Sequence, residues 1–237
     1  MSKSSNKAKV ICIGWHKTGT STLGVALLKL GYNVVGARLD MAYPLLKGDK
    51  KTPIELAGEF DALQDVPWAA LFKELDKAYP ESKFIMTERD EKSWLNSAQK
   101  HFKDNYFALH EWIYGEGVLQ GNEDLYLERY RKHYREVKDY FKDRENDLLL
   151  MNFANGDGWE KLCPFLNQPI PNKAFPHENK GKHSYTKQDK IKNLIRSLVP
   201  KPLRTARVFL MEKLGLHHGR NRFNNAVQNR RERQNKV

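Results

Sequence analysis

The sequence predicts a three-layer α/β fold, in which a central parallel β-sheet is flanked by helices on both faces. Short apolar runs rich in β-branched residues, such as Lys9–Ile13 and Lys83–Thr87, alternate with segments of helical periodicity. Parallel strands need crossover connections, and helices usually supply them. Hydrophobic residues form 40% of the 237-residue chain, which is enough for one core.

The predicted strands begin with Lys9–Ile13, which ends at Gly14 as a buried parallel strand does. Because ligands bind at the carboxyl ends of the strands in such sheets, we expect functional residues in the loops that follow them. The other predicted strands are Tyr32–Val35, Phe60–Gln64, Lys83–Thr87 and Asp147–Asn152.

The predicted helices are marked by their termini. Thr20–Leu30 has apolar residues at helical spacing and a glycine directly after it. Pro67–Tyr79 has proline in its first turn, and Asp90 is a good N-cap for a helix that reaches about Lys103. Further helices are predicted at Pro53–Glu59, Asn122–Lys142 and Gly158–Leu166.

The net charge of +12 belongs to the end of the chain. Residues 1–180 carry 26 basic and 26 acidic side chains, whereas residues 181–237 carry 15 basic and 3 acidic ones. We therefore predict a disordered N-terminal tail (1–8), an α/β domain (9–180) and a basic, partly helical C-terminal extension (181–237). The extension is expected to bind an acidic membrane surface. Nucleic acid is disfavoured as a partner, because aromatic residues for base stacking are sparse there.

Composition excludes several classes of protein. No run approaches the roughly 18 apolar residues of a membrane span, and the first residues lack the apolar stretch of a signal peptide. This predicts a cytoplasmic protein, with the basic extension as a means of peripheral membrane attachment. Cys12 and Cys163 lie in apolar segments without CxxC spacing, so we predict buried thiols rather than a disulfide or a zinc site.

The loop Gly14–Gly19, which we call the phosphate loop, predicts an anion site. It leads from a strand into a helix N-terminus, where free backbone N–H groups and the positive end of the helix dipole point at one place. Lys17 adds a positive charge, and Gly19 lets the backbone approach an anion closely. The alternative is a simple strand-to-helix connection, since glycine and threonine are ordinary turn residues.

The order of residues in the phosphate loop distinguishes two kinds of site. Nucleoside triphosphatases use GxxxxGK[ST], with the lysine directly after the second glycine, whereas Lys17 comes two positions before Gly19. The segment instead resembles the 5'-phosphosulfate loop of the sulfotransferases that use 3'-phosphoadenosine 5'-phosphosulfate (PAPS), whose core is Lys-Ser/Thr-Gly-Thr-Thr/Ser. The resemblance implies the three-layer sheet of P-loop nucleotide-binding proteins.

Arg89 and Ser97 carry the second part of the resemblance. In that family an Arg at the end of a strand and a Ser eight residues later bind the 3'-phosphate, and a forked guanidinium suits a pair of phosphate oxygens. The alternative is that Arg89 pairs with a neighbouring carboxylate, and Ser93 is a competing hydroxyl. The stretch Asn155–Asn179 is similar to the closing part of one branch that includes microbial members.

The resemblance implies that PAPS is the co-substrate and that no metal is required. It also implies a catalytic role for Lys17, because a positive charge there stabilises the leaving oxygen as the S–O bond breaks. The residues implied to bind the nucleotide are Trp15, Lys17, Thr18, Gly19, Thr20, Ser21, Thr22, Arg89 and Ser97.

The family's general base, often a His in a Thr-His-x-Pro-type segment, corresponds here to Asp65. An ordinary aspartate has a pKa of about 3.9, so Asp65 needs surroundings of low dielectric constant to act as a base. Alternatively, Asp65 caps the helix that begins at Pro67. His16 is the second candidate base, and it could equally hydrogen-bond the backbone of the phosphate loop.

These residues predict a sulfotransferase that moves a sulfuryl group from PAPS to a hydroxyl or amine by in-line transfer. Two alternatives remain: a P-loop-type small-molecule kinase or NTPase, and a non-enzymatic protein that binds acidic surfaces through its basic extension. The acceptor, a small molecule, glycan or lipid, is not identified. Its pocket is expected to draw on Arg38–Thr52 and Phe102–Gly121, whose aromatic residues could equally belong to the core.

Overall fold

Five parallel strands form one sheet in the computed structural model, which describes residues 8–177 and Leu203. The predicted α/β class and all five predicted strands are confirmed. The predicted N-terminal tail and basic extension lie outside the described residues, apart from Ala8 and Leu203. The strands are β1 (Val10–Cys12), β2 (Val34–Val35), β3 (Ala62–Gln64), β4 (Lys83–Thr87) and β5 (Leu148–Met151), in the spatial order β2-β3-β1-β4-β5.

Eight α-helices in the described part of the chain pack on both faces of this sheet. They are α1 (Thr20–Lys29), α2 (Ala42–Leu46), α3 (Lys51–Ala57), α4 (Phe72–Ala78), α5 (Glu91–Phe102), α6 (Ala108–Tyr114), α7 (Glu123–Tyr140) and α8 (Trp159–Phe165). The first and last of these cover one face, and the other six cover the opposite face. None of the helices described is both long and apolar enough to cross a bilayer.

The alternation of side chains along β1 separates two hydrophobic cores. Ile11 and Ile13 pack under α4–α7, whereas Val10 and Cys12 pack under α1 and α8. Both faces of the strand are buried, which explains its continuous apolar run. Cys12 and Cys163 are buried free thiols, as predicted.

Two helices and one helix start differ from the sequence predictions. The sequence does not predict α2 and α6, because their five and seven residues are too few to show amphipathic periodicity. They are stabilised by packing against each other. The predicted helix Pro67–Tyr79 begins instead as a 3-10 segment, Trp68–Leu71, and becomes α-helical only from Phe72.

The strand order brings three loops together at the carboxyl edge of the sheet. Because β1 lies between β3 and β4, the phosphate loop lies between Asp65, which follows β3, and Arg89, which follows β4. The chain changes its direction of winding across β1, and such switch points are where ligands bind in open α/β sheets.

The phosphate loop passes very close to the end of β4 at Gly14. A Cβ atom on Gly14 would lie 1.9 Å from Oγ1 of Thr87 and 2.6 Å from its backbone N, so no larger residue fits without moving β4. Thr87 also bonds Thr18 through the two hydroxyls at 2.6 Å, and its carbonyl accepts the Tyr134 hydroxyl at 2.6 Å. The loop is therefore fixed to β4 just before Arg89 emerges.

Gly14→Ala should lower the free energy of unfolding by about 1–3 kcal/mol, the usual cost of overpacking, because β4 must shift to admit the methyl group. Urea denaturation of the full chain measures the loss. Gly121→Ala is the control, since its Cβ would meet no atom within 4 Å and only the strain of a φ of 84° remains. Equal losses in the two variants would contradict the close contact at Gly14.

Candidate active site

A cavity of about 310 Å³ opens at the carboxyl edge of the sheet, between the phosphate loop, α5 and α6. We distinguish the phosphate half, which holds most of the predicted site residues, from the uncharged half, which is apolar apart from two imidazoles. The phosphate half contains His16, Lys17, Gly19, Thr20, Ser21, Thr22, Asp65, Arg89 and Ser97, and the uncharged half contains Ala37, Leu39, Val66, His101, Phe102, Phe107 and His110.

The phosphate loop turns sharply at two positions. Lys17 has a φ of 67° and Gly19 a φ of 106°, in the left-handed region that strains a lysine but not a glycine. Gly19 precedes α1 without a side-chain cap, so the first N–H groups of the helix remain available to an anion. A Cβ on Gly19 would also lie 2.5 Å from Cδ2 of Phe153, so this position needs a glycine for space as well.

Arg89 lies directly beside Lys17. Its Nη1 donates to the carbonyl oxygen of Lys17 at 3.0 Å, while the Tyr130 hydroxyl donates to the carbonyl of Arg89 at 2.6 Å. Ser97, two turns along α5, lines the same cavity. The structure therefore brings together the two predicted anion-binding segments, which are separated by about seventy residues in the sequence.

In the structure, the two carboxylates beside Arg89 have partners other than Arg89. Glu88 pairs with Lys138 at 3.0 Å, and Asp90 accepts the backbone N–H of Ser93 at 2.9 Å as the N-cap of α5. The predicted cap is confirmed, and neither carboxylate occupies Arg89. Ser93 is exposed beside Asp90 and does not line the cavity.

Asp65 faces the phosphate loop from the end of β3, with a φ of 71°. Thr20 Oγ1 donates to its Oδ2 at 2.9 Å, and the N–H of Val66 donates to its Oδ1 at 2.8 Å. The predicted capping of the helix at Pro67 is not formed, because the carboxylate bonds the adjacent amide instead. Burial raises the pKa of Asp65, although the bonds from Val66 and Thr20 and the charge of Lys17 oppose the rise.

The pKa of Lys17 is shifted in the opposite direction to that of Asp65 by the same surroundings. Burial lowers the pKa of its ammonium group, an effect that the charge of Asp65 opposes and that of Arg89 reinforces. Both ions are therefore held in a poorly solvated site, where a bound anion would favour the charged lysine.

His16 is 3% exposed, and its ring is held from two sides. Its Nε2 lies 2.7 Å from the Tyr114 hydroxyl, and its carbonyl accepts the indole N–H of Trp94 at 2.8 Å. The expectation that the ring hydrogen-bonds the loop backbone is therefore wrong. Burial, with smaller contributions from His110 and Lys17, lowers the pKa of His16 well below its usual value, which makes it a weak base.

Trp15 and Thr18, which are predicted to bind the nucleotide, do not line the cavity. The Trp15 indole is fully buried, donates to the Tyr114 hydroxyl at 2.6 Å and packs on His133 with ring centroids 4.2 Å apart. Thr18 Oγ1 bonds the carbonyl of Trp15 at 2.5 Å and Oγ1 of Thr87 at 2.6 Å. Both side chains point back into the core, because the loop leaves a strand that is buried on both faces.

Comparison with known proteins decides the family. A family model of the sulfotransferase domain matches residues 9–116 and 105–184, which include the phosphate loop, Arg89 and Ser97. The chain belongs to the sulfotransferase family. It is also 30% identical over 212 residues to the Ava biosynthesis cluster protein M of Aspergillus versicolor, a match that covers 71% of this chain and 80% of that protein. Family membership supports a sulfotransferase-type activity.

The sulfotransferase cavity also contains a residue that the sequence did not single out. His110 lines the uncharged half, one helical turn before Tyr114 on α6. The i, i+4 spacing of His110 and Tyr114 places them on one face of a helix, but the sequence shows this only if α6 is already recognised as helical. Of the aromatic residues weighed between pocket and core, Phe102 and Phe107 line the cavity, whereas Tyr114 is core. Within residues 8–177, no group of three or more His, Cys, Asp or Glu is placed to hold a metal ion.

The Asp65 carboxyl should titrate above the ordinary aspartate range in the sulfotransferase without ligand, because burial disfavours its charge. Thr20→Val should raise this pKa further, since it removes a hydrogen bond to the ionised form. Carbon-detected NMR titration of the side-chain carboxyls measures both values, and Ser21→Ala in the same turn is the control. A pKa at or below the ordinary range, or no response to Thr20→Val, would contradict the described environment.

Proposed function

We propose that this sulfotransferase transfers a sulfuryl group from PAPS to a hydroxyl or amine of its acceptor by in-line displacement. The observation that supports this most strongly is the presence of Lys17 and Arg89 in one cavity, where Arg89 Nη1 bonds the carbonyl of Lys17 at 3.0 Å. A nucleotide with anionic groups on both the 3' and 5' positions of its ribose needs two such sites close together.

The residues at the start of α1 fit the 5'-phosphosulfate. The uncapped helix N-terminus offers backbone N–H donors, and Gly19 leaves room for an anion to approach them. Ser21 and Thr22 add hydroxyl donors, and Lys17 adds the positive charge that an anion requires. Trp15 and Thr18 act on the nucleotide only through the loop that they hold.

Arg89 and Ser97 fit the 3'-phosphate. A guanidinium has five N–H donors in a planar fork. Among the residues that the structure describes, the bond to Lys17 uses one of them, which leaves the others for phosphate oxygens. Arg89 is exposed at the mouth of the cavity and Ser97 is half-buried, which matches an end of the ligand that does not react.

PAPS supplies a sulfuryl group that is activated by its mixed phosphate–sulfate anhydride. The acceptor oxygen or nitrogen forms a bond to sulfur while the bond between sulfur and the bridging oxygen breaks, and that oxygen keeps the electron pair. Lys17 neutralises the charge that develops on this oxygen, and Asp65 takes the proton of the acceptor. The products are the sulfated acceptor and adenosine 3',5'-bisphosphate (PAP), with the proton left on Asp65.

Asp65 is the better supported base of the two candidates. Its pKa is raised by burial, which strengthens it as a base, whereas the pKa of His16 is lowered and its Nε2 is engaged by Tyr114. Since the carboxyl must be ionised to accept a proton, the raised pKa moves the acid limit of activity to higher pH. A kinase or other NTPase is less well supported, because Lys17 precedes Gly19 instead of following it.

We also propose that residues 9–180 form the catalytic domain and that residues 181–237 attach it to an acidic membrane surface in the cytoplasm. The support is the division of charge, since the last 57 residues carry the whole net charge of +12. Deletion of residues 181–237 should abolish sedimentation with phosphatidylserine vesicles and leave PAPS turnover unchanged. Sedimentation that persists after the deletion would exclude this role for the extension.

PAP should raise the melting temperature without magnesium, because a ligand that binds only the folded chain stabilises it. A thermal-shift assay measures this, with ATP and Mg²⁺ as the comparison. Arg89→Ala should remove most of the shift given by PAP and leave that of adenosine 5'-monophosphate, which lacks the 3'-phosphate. A shift that appears only with ATP and magnesium would favour the kinase instead.

Lys17→Met should lower kcat on the order of 100-fold while weakening PAPS binding much less, because the ammonium group acts mainly on the charge of the transition state. Single-turnover kinetics and equilibrium binding of PAPS separate the two effects. Lys29→Met, at the exposed far end of α1, is the matched control and should change neither. Weaker binding with an unchanged kcat would reduce Lys17 to a binding residue.

A further inference from the structure

Two tyrosines on α7 hold the backbone from which Arg89 projects. Tyr134 donates to the carbonyl of Thr87 at 2.6 Å, and Tyr130 donates to the carbonyl of Arg89 at 2.6 Å. Their i, i+4 spacing puts both hydroxyls on one face of the helix, toward the end of β4. Neither tyrosine lines the cavity, so any effect that they have on a ligand passes through the backbone that they hold.

The direction of the Arg89 side chain depends on this backbone. Arg89 is exposed at the mouth of the cavity, where packing does little to orient a long side chain. The chain is anchored before it, since the N–H of Glu88 donates to the carbonyl of Met151 at 2.8 Å, and after it, since Asp90 is the N-cap of α5. The bond from Tyr130 fixes the peptide group of Arg89 itself.

Trp94 connects Tyr130 to the phosphate loop. Its ring stacks on that of Tyr130, with centroids 4.3 Å apart and planes inclined by 24°, and its indole N–H donates to the carbonyl of His16 at 2.8 Å. Trp94 is fully buried and Tyr130 is 3% exposed, so close packing holds both rings in place. The stacked pair therefore bonds the backbone of both predicted anion-binding segments, with one ring on each.

The Tyr130 hydroxyl keeps its proton at neutral pH. Burial is the main cause that raises the pKa of Tyr130 to about 12, so the group remains a hydrogen-bond donor. A phenylalanine at this position would retain the ring that stacks on Trp94 and lose only the bond to the carbonyl of Arg89. The hydroxyl can therefore be removed without removing the packing.

We infer that Tyr130 is a positioning residue for the nucleotide, which directs the Arg89 guanidinium toward the 3'-phosphate and so favours a nucleotide with phosphates at both the 3' and 5' positions. It acts through the backbone of Arg89 and not by contact with the ligand. The bond from Arg89 Nη1 to the carbonyl of Lys17 depends on the same direction of the side chain. The inference rests on the proposed function, in which one nucleotide spans Lys17 and Arg89.

Tyr130→Phe separates the positioning of Arg89 from the packing of the core. Calorimetry on the full chain should show PAP binding about fivefold more weakly, as one lost hydrogen bond would give, whereas binding of adenosine 5'-monophosphate should change less than about twofold. A merely structural role would weaken both nucleotides in the same proportion. Tyr140→Phe is the matched control, because its hydroxyl donates to Asp76 Oδ2 at 2.7 Å at the last residue of α7, and it should change neither affinity.

A double-mutant cycle with Arg89→Ala tests whether Tyr130 acts through Arg89. Once the guanidinium is absent there is nothing left to direct, so Tyr130→Phe should no longer change the affinity for PAP. A loss of the same size in both backgrounds would overturn the inference. Unchanged PAP affinity in Tyr130→Phe, or equal weakening of PAP and adenosine 5'-monophosphate, would overturn it as well.

Failure of this inference and failure of the proposed function give different results in the same experiment. If the unaltered chain binds PAP and Tyr130→Phe binds it equally well, only the positioning role of Tyr130 is excluded. If the unaltered chain does not bind PAP, the proposed function and the inference fail together.

Discussion

The close contact between the phosphate loop and the end of β4 joins the two predicted anion-binding segments of this sulfotransferase, and most of the site depends on it. It can form because β1 lies between its neighbours in the sheet, so that the phosphate loop and the end of β4 leave the same edge side by side. The absence of a side chain at Gly14 permits that approach. The strained backbone of Lys17 and the phosphate loop are thus fixed by the sheet and not by the ligand.

The same constraint explains the electrostatics of the cavity. A loop held this tightly against the core carries its charged groups into poorly solvated surroundings, which raises the pKa of Asp65 and lowers that of Lys17. Each charge reduces the free-energy cost of burying the other. A bound phosphosulfate would add negative charge beside Lys17 and favour its charged form. Burial is the main cause that lowers the pKa of the neighbouring imidazoles, His16 and His110, and keeps them neutral. One cavity therefore holds a charged half and an uncharged half in direct contact.

The sequence predicted the parts of this arrangement that are local. The strand-to-helix loop, the N-cap at Asp90 and the five strands each have a signal within a few residues, and the family resemblance placed Arg89 near Lys17. What it could not predict depends on packing between distant segments. The Trp15 side chain points into the core, because its direction follows from the burial of β1. His110 was not noticed, because α6 is too short to be recognised without its neighbours.

A crystal structure of the full chain with bound PAP would show whether Lys17 and Arg89 hold the two ends of one nucleotide. We expect the 5'-phosphate at the N-terminus of α1, within hydrogen-bonding distance of Lys17, and the 3'-phosphate between the Arg89 guanidinium and the Ser97 hydroxyl. PAP bound outside this cavity, or bound within it with either phosphate turned away from both basic side chains, would show that the two side chains do not form one nucleotide site.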